Sequence, residues 1–221
     1  MVLKVRPRSA DLYIIQENLV GRSYRPSEDI GRVKTAVDLG ATIGDSTLAM
    51  LIDYNPEKIV AVEMDPTNFG LMQENLERNG FGGQVIAVNK AIYNREGMVG
   101  IKLSVNTGHH MATDERRRVN VETVTLRNLL KEAEMEGQID CFKMDIEGAE
   151  RLVLTGKNRG TFEGVRYVTM EAHGPELGGE NVQDSVNYFQ QLGFRVKTRP
   201  TPYKGGLMVE AFNPKILDQM Q

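Results

Sequence analysis

The sequence predicts an α/β fold built around one doubly wound, mainly parallel sheet. From Thr35 onward, short apolar runs of strand length alternate with stretches of helical period. Repeated strand–helix–strand units of this kind cover both faces of a sheet with helices, because their crossovers are right-handed. The chain has 221 residues, of which 40% are hydrophobic, so it can bury one sizeable core. We therefore expect a single domain over residues 1–221.

Charge and cysteine content narrow the class of protein. The 27 Lys and Arg residues against 30 Asp and Glu leave a net charge of −3, which argues against nucleic acid as a partner. A single cysteine, Cys141, excludes an internal disulfide and fits a reducing compartment. No apolar run approaches the roughly 20 residues of a membrane span, and no signal-peptide pattern opens the chain. We expect a cytoplasmic protein that does not enter a membrane; the composition indicates no oligomeric state.

Seven apolar runs are predicted as strands of the sheet. In order, they cover residues 35–39, 58–63, 84–92, 141–146, 165–173, 194–198 and 207–212. Helical segments separate the first five runs, which is typical of parallel neighbours. Only a short turn separates the last two, so these can pair antiparallel.

Capping residues and apolar spacing predict the helices between these strands. Asp45 or Ser46 could cap the first of them, and Asp65 followed by Pro66 marks the start of the second. Thr125 caps a third helix, whose apolar residues recur at i, i+3, i+4 and i+7. Further helices are predicted over residues 11–19, 148–156 and 181–192.

Two segments depart from this alternation. Residues 98–124 contain two extra strands around a polar loop, and we interpret them as an insertion over the binding edge of the sheet. His109 and His110 lie in that loop, where they could contact a substrate or form ordinary surface. The run Arg116-Arg117-Arg118 forms a solvated face or an anion clamp. Residues 1–30 form either a lid or, as we favour, a packing arm.

The turn after the first strand is a candidate cofactor site. Its residues are small, which lets a ligand approach the backbone at a helix start; they are Gly40, Ala41, Thr42, Gly44, Ser46 and Thr47. Asp38 precedes the turn, and Glu63 ends the second strand 25 residues later. A carboxylate at that strand tip is placed to accept hydrogen bonds from both hydroxyls of a ribose. These features favour an adenosine-type cofactor over a simple tight turn.

Spacing and charge distinguish between adenosine cofactors. The dinucleotide fingerprint G-x-G-x-x-G, started at Gly40, would need glycine where Thr42 and Asp45 stand. Asp45 would also repel a pyrophosphate. S-adenosylmethionine carries no phosphate, and its ammonium and sulfonium groups are attracted by carboxylates. We therefore predict S-adenosylmethionine as the cofactor, with Met64 and Ala91 also assigned to its pocket.

Four blocks of sequence resemble the FkbM-type S-adenosylmethionine-dependent methyltransferases. They are VDLGATIG at 37–44, AVE at 61–63, ENLERNG at 74–80 and, most specific, IDCFKMDIEGAE at 139–150; the short block VTL at 124–126 adds to them. The resemblance implies the class I methyltransferase fold, a Rossmann-like seven-stranded sheet of order 3-2-1-4-5-7-6 with the last strand antiparallel. It also implies methyl transfer to a hydroxyl, usually on a sugar or natural product.

Polar residues at the tips of the fourth and fifth strands are candidates for catalysis. Alternation places Asp145 and Glu147 on one face, and likewise Glu171 and His173. An alcohol acceptor must be held in line with the methyl group and must lose its proton. His173 or one of the carboxylates could be the general base, and we favour His173. A divalent cation held by this cluster is a further candidate that the sequence does not predict.

Less specific interpretations stay open for the same residues. Asp145 and Glu147 could instead cap the next helix, and Lys143 is expected to be a paired, buried lysine. The function predicted first is O-methylation of a small molecule, sugar or glycan. An RNA methyltransferase of the same fold and a catalytically silent S-adenosylmethionine-binding protein are the alternatives.

Overall fold

The computed structural model describes residues 1–104, 116–173, 182–201 and 206–220, and its strands form two sheets. In chain order the strands are β1 (Thr35–Leu39), β2 (Lys58–Val62), β3 (Val85–Val88), β4 (Ala91–Ile92), β5 (Gly97–Ser104), β6 (Arg116–Val124), β7 (Ile139–Met144), β8 (Val165–His173), β9 (Arg195–Pro200) and β10 (Gly206–Phe212). The larger sheet has seven strands in the order β3-β2-β1-β7-β8-β10-β9.

The pairing of these seven strands confirms the predicted topology. The pairs among β3, β2, β1, β7 and β8 are parallel, whereas β10 runs antiparallel to both β8 and β9. Counted along the chain within this sheet, the order is 3-2-1-4-5-7-6, as the family resemblance implied. Leu39 pairs with Val62 on one side and with Met144 on the other. The carboxyl ends of β1, β2 and β7 therefore lie at one edge of the sheet.

The helices confirm two of the predicted caps and correct a third. In chain order they are α1 (Asp11–Ile15), α2 (Asp45–Tyr54), α3 (Pro66–Arg78), α4 (Leu126–Glu132), α5 (Glu150–Val153), α6 (Arg159–Glu163), α7 (Val182–Gln191) and α8 (Pro214–Leu217). The side chains of Asp65 and Thr125 accept backbone hydrogen bonds at the starts of α3 and α4. The cap of α2 is Gly44, with φ 88° and no side-chain hydrogen bond. The prediction that Asp45 or Ser46 caps α2 is wrong. The side chain of Asp45 accepts a hydrogen bond from Asn18, and the hydroxyl of Ser46 donates to Asp38.

Apolar residues pack on both faces of the large sheet. On one face Phe142 and Phe162 meet edge to face, with ring centroids 5.3 Å apart, beneath α4, α6 and α7. On the other face Tyr167 and Cys141 pack with α2, α3 and the first thirty residues, from which Leu19 and Ile30 are buried. Helices on both faces confirm the doubly wound arrangement.

The third predicted strand, over 84–92, is divided in the structure. β3 stays in the large sheet, whereas β4 joins β6 and β5 in a separate three-stranded sheet. The break falls where the Asn89 side chain donates to the backbone carbonyl groups of Glu63 and Met64, at 2.8 and 3.3 Å. These bonds draw the chain towards the tip of β2. The extra strands predicted within 98–124 are β5 and β6, while His109 and His110 lie outside the described residues.

Shorter elements differ from the predictions at two places. The helix predicted over 148–156 is only α5, followed by a 3₁₀ turn (Gly156–Asn158) and by α6, which was not predicted. The helix predicted over 11–19 is α1 continued by a π turn (Gln16–Val20). No helix within the described ranges combines the length and hydropathy needed to cross a bilayer.

Candidate active site

The turn between β1 and α2 approaches its neighbours so closely that two positions require glycine. Gly40 has φ 83°, and a Cβ there would lie 1.8 Å from the carbonyl oxygen of Asp145. Gly44 has φ 88°, and its Cβ would lie 3.0 Å from Cγ of Met72. The amides of Gly40 and Ala41 both donate to the carbonyl of Val62 at 2.9 Å. The turn is therefore fixed against the tips of β2 and β7, with no room for side chains.

Asp38 holds the inner side of this turn. Its Oδ2 accepts hydrogen bonds from Ser46 Oγ at 2.6 Å and from Thr47 Oγ1 at 2.7 Å. Its Oδ1 lies 3.1 Å from Nζ of Lys143, which also donates to the carbonyl of Gly40 at 2.7 Å. Lys143 is thus paired and buried, as expected. Asp38, Ser46 and Thr47 are buried, and the bonds of Ser46 and Thr47 to Asp38 fix the shape of the turn.

Glu63 lies just beyond the end of β2 and faces the same turn. Its Oε2 accepts from the amide of Thr42 at 2.9 Å, and its Oε1 accepts from the amide of Asp65 at 2.7 Å. Burial raises the pKa of Glu63 to about 7, although these two hydrogen bonds oppose the change. Each carboxylate oxygen has a second lone pair available, so Glu63 can accept two further hydrogen bonds. Ala91, at the start of β4, is buried.

All four predicted catalytic residues come together around His173. Nε2 of His173 lies 3.8 Å from Asp145 Oδ1 and 3.6 Å from Glu147 Oε2. Asp145, Glu171 and His173 each offer one ligand atom within 4.8 Å of the other two, so this trio could hold a metal ion. Neither Asp145 nor Glu147 caps the following helix, because α5 begins after Ala149 with no side-chain cap. The capping interpretation of Asp145 and Glu147 is therefore wrong.

Glu150 is a member of this cluster that the sequence analysis missed. Its Oε1 lies 3.0 Å from Nδ1 of His173 and also accepts from the amides of Ile146 and Gly148 at 3.3 Å. Glu150 and His173 are both buried. Glu150 therefore fixes the ring of His173 and leaves Nε2 facing the carboxylates. The available signal was its place as the last acid of the IDCFKMDIEGAE block.

The charges in this cluster shift one another's pKa values. Burial alone would lower the pKa of His173, but the hydrogen bond with Glu150 and the charges of Asp145, Glu150 and Glu147 raise it to about 10. Burial raises the pKa of Glu171 to about 7; repulsion from Asp145 adds to this effect and His173 opposes it. At neutral pH His173 is an imidazolium, and Glu171 is close to half ionised.

The N-terminal arm, residues 1–30, lies across this edge of the sheet. Tyr24 donates to Asp145 Oδ2 at 2.7 Å, and Nζ of Lys143 lies 4.9 Å from the centre of the Tyr24 ring. Asn18 donates to Asp45 at 2.6 Å, and burial raises the pKa of that acid to about 7. Oδ1 of Asp45 and Oδ1 of Asp145 are buried without a hydrogen-bond partner among the described residues. The arm thus covers the turn between β1 and α2 and contacts the cluster around His173.

Fold and geometry together define a class of protein: a Rossmann-like α/β fold with a candidate site at the carboxyl edge of the sheet. A family model described as the methyltransferase FkbM domain matches residues 38–196. The chain belongs to this family, which confirms the resemblance found in the sequence.

One relative in sequence and two solved structures of the same fold are similar to this chain. The methyltransferase sdnD of Sordaria araneosa is 28% identical over 171 residues, which are 63% of this chain and 66% of that protein. The structure of methyltransferase FkbM from Methylobacillus flagellatus KT matches with TM-score 0.59 and 18% identity, over 81% of this chain and 44% of that one. An O-methyltransferase family protein from Burkholderia thailandensis matches with TM-score 0.54 and 11% identity, over 90% and 56%. The chain therefore spans less than two thirds of each of these proteins.

Proposed function

We propose that the protein transfers the methyl group of S-adenosylmethionine to a hydroxyl oxygen of a small molecule, sugar or glycan. The observation that carries the proposal is the contact between the two halves of the site. Asp145 presents its backbone carbonyl to the Gly40 turn and its carboxylate to His173. A cofactor held at the turn therefore lies next to the acids that would activate an acceptor. A reducing, cytoplasmic setting is part of the proposal, in keeping with the free, buried Cys141.

The residues at the turn fit the predicted cofactor. The glycine turn gives backbone access, Glu63 has free lone pairs for the ribose hydroxyls, and Asp45 and Asp145 each have a buried oxygen without a partner in the described part of the chain. These carboxylates suit a sulfonium and an ammonium, whereas a pyrophosphate would be repelled. When bound, S-adenosylmethionine supplies a methyl group made electrophilic by the sulfonium.

Proton removal from the acceptor is assigned to Glu171. With a pKa of about 10, His173 is neutral in only about one molecule in a thousand at pH 7. Glu171, with a pKa of about 7, matches the operating pH of a general base. Glu171 would take up the hydroxyl proton when the acceptor oxygen is methylated. The carbon–sulfur bond of the cofactor would break in the same transfer, leaving S-adenosylhomocysteine. His173, held by Glu150, balances the charge of Asp145 and Glu147. This assignment replaces the initial preference for His173 as the base.

Titration calorimetry with S-adenosylhomocysteine tests the cofactor assignment. We expect the wild-type chain to bind S-adenosylhomocysteine and not to bind NADH. Glu63→Ala should weaken binding by about 1.5–3 kcal/mol, the range for hydrogen bonds to a charged group. Glu57→Ala is the matched control, because Glu57 is exposed and pairs only with exposed Arg32 among the described contacts. Tight NADH binding, or equal affinity in the Glu63 variant and the wild type, would overturn the assignment.

Protonation of Glu63 gives a second readout of the same contact. A protonated carboxyl loses acceptor capacity, so affinity for S-adenosylhomocysteine should fall as the pH drops below about 7. The Glu63→Ala variant should lack this dependence.

The acceptor can be sought by incubating the protein and labelled cofactor with a fractionated cell extract and detecting methylated products by mass. Methylated RNA would indicate an RNA methyltransferase of the same fold. Cofactor binding without any methylated product would indicate a catalytically silent S-adenosylmethionine-binding protein.

A further inference from the structure

A cavity of about 530 Å³ lies between the N-terminal arm and the edge strand β9. The arm lines it with Tyr13, Glu17, Arg22 and Arg25, and β9 contributes Arg199. This volume falls within the range of small-molecule sites. Three guanidinium groups against one carboxylate give the lining an excess of positive charge.

The three arginines have unused donor capacity. Nη1 of Arg22 is buried without a hydrogen-bond partner among the described residues, while its Nη2 lies 3.3 Å from Asp53. Arg22 also has φ 56°, a conformation that non-glycine residues adopt at a cost. Arg25 is exposed, and no carboxylate pairs with it in the ranges that the structure describes. Arg199 donates to the carbonyl of Ser23. Each arginine therefore retains N–H groups for an anionic ligand.

The cavity adjoins the catalytic cluster through the arm. Burial raises the pKa of Glu17; the charge of Asp145 adds to this effect, and Lys143 and Arg199 oppose it. The charges of both Asp145 and the cavity residue Arg199 therefore act on the Glu17 carboxyl. Tyr24, next in the chain after a lining residue, donates directly to Asp145. A ligand in the cavity would contact the three arginines, and the arm residues Glu17 and Tyr24 connect this lining to Asp145.

We propose that this cavity binds the acceptor, and that the acceptor carries an anionic group held by Arg22, Arg25 and Arg199. A carboxylate, sulfate or phosphate matches the planar, multidentate donors of guanidinium. The hydroxyl to be methylated would lie on the part of the molecule that faces Asp145 and Glu171. The inference rests on the proposed function and makes it more specific, because it excludes neutral sugars as the preferred acceptors.

Calorimetric titration of inorganic phosphate at constant ionic strength tests the cavity without knowledge of the acceptor. We expect Arg25→Gln and Arg199→Gln each to weaken phosphate binding at least about fivefold, allowing for partial exposure. Arg32→Gln is the matched control: Arg32 is 74% exposed and pairs with Glu57 outside the cavity. Its phosphate affinity should equal that of the wild type. Parallel titrations with sulfate and acetate show which anion the arginines prefer.

The outcomes separate this inference from the proposed function. Phosphate affinity that is equal in Arg25→Gln and the wild type would overturn the inference, and Arg25 is exposed enough for that variant to fold. S-adenosylhomocysteine affinity should be unchanged in both cavity variants. Failure of the wild type to bind S-adenosylhomocysteine would overturn the proposed function, whatever the result with phosphate.

Discussion

Asp145 is the residue at which the two halves of the site meet. Its carbonyl oxygen excludes any side chain at Gly40, its Oδ2 accepts from Tyr24, and its Oδ1 faces His173. One residue thereby connects the turn, the arm and the catalytic cluster. Substitutions at the residues around Asp145 should therefore have measurable effects on stability and on kcat.

Gly40→Ala should destabilise the fold. The new Cβ would lie 1.8 Å from a backbone oxygen, at a φ of 83° that alanine rarely adopts. We expect a loss of at least about 2 kcal/mol in the free energy of unfolding, from combined clash and strain. Urea denaturation measures this quantity. Gly83→Ala is the control, since a Cβ there meets nothing within 4 Å, and its change should stay within about 0.5 kcal/mol.

Glu171→Gln should lower kcat by about 10²–10⁴, the usual contribution of a positioned base. The wild-type kcat should rise with pH through about 7, because the carboxyl must be ionised to accept a proton. If His173 were the base, the rise would continue towards pH 10, where its imidazolium loses its proton. Steady-state rates measured between pH 5.5 and 10 distinguish the two assignments.

The same assay tests the alternative in which Asp145, Glu171 and His173 hold a cation. In that case EDTA would abolish activity and Mg²⁺ would restore it. Proton transfer to Glu171 alone predicts no effect of EDTA. If Glu171 acts without a cation, the Asp145→Asn variant should keep a residual rate. If a cation is required, the rate of that variant should equal the rate of the wild type in EDTA.

At the scale of elements, the N-terminal arm is placed to control access to the glycine turn. Its Asn18 holds Asp45, and its Ile14 packs with Ile43 and Leu71. We propose that the arm acts as a lid. Asn18→Ala should then speed both association and dissociation of S-adenosylhomocysteine several-fold, because opening would no longer break a hydrogen bond.

Surface plasmon resonance gives both rates for this comparison. Asn128→Ala is the control, because the side chain of Asn128 on α4 bonds to Glu96 and not to the arm. Unchanged rates in Asn18→Ala would show that the arm only packs, as the sequence analysis favoured.

Elements with strong local signals could be predicted from the sequence. Strands buried on both faces give continuous apolar runs, and Asp65-Pro66 and Thr125 specify helix starts by local chemistry. α6 was missed because it is only five residues long and includes Gly160 and Thr161, both poor helix formers. The break after β3 depends on Asn89 reaching another strand, which no local pattern reveals.

At the scale of the whole molecule, the sequence could predict that the candidate residues lie close together, but not what each of them does. The tips of β7 and β8 were identified correctly as a cluster, because parallel strands end at one edge. Asp38 binds Lys143, which is its partner in the β1–β7 register. The Glu150–His173 contact joins residues 23 positions apart. Such pairings arise from tertiary packing, so the sequence alone leaves these roles undetermined.

The N-terminal arm is synthesised well before the residues that hold it in place. Tyr24 binds a residue 121 positions later, and the amide of Ser27 donates to Glu210, 183 positions later. At a translation rate of about 5–20 residues per second, the arm waits roughly 10–40 s for its last partner. Its apolar Leu19 and Ile30 belong to a core cluster that is complete only when Phe212 of β10 is added. The nascent chain should therefore be a chaperone client until β10 has left the ribosome, and only then can the arm close the site.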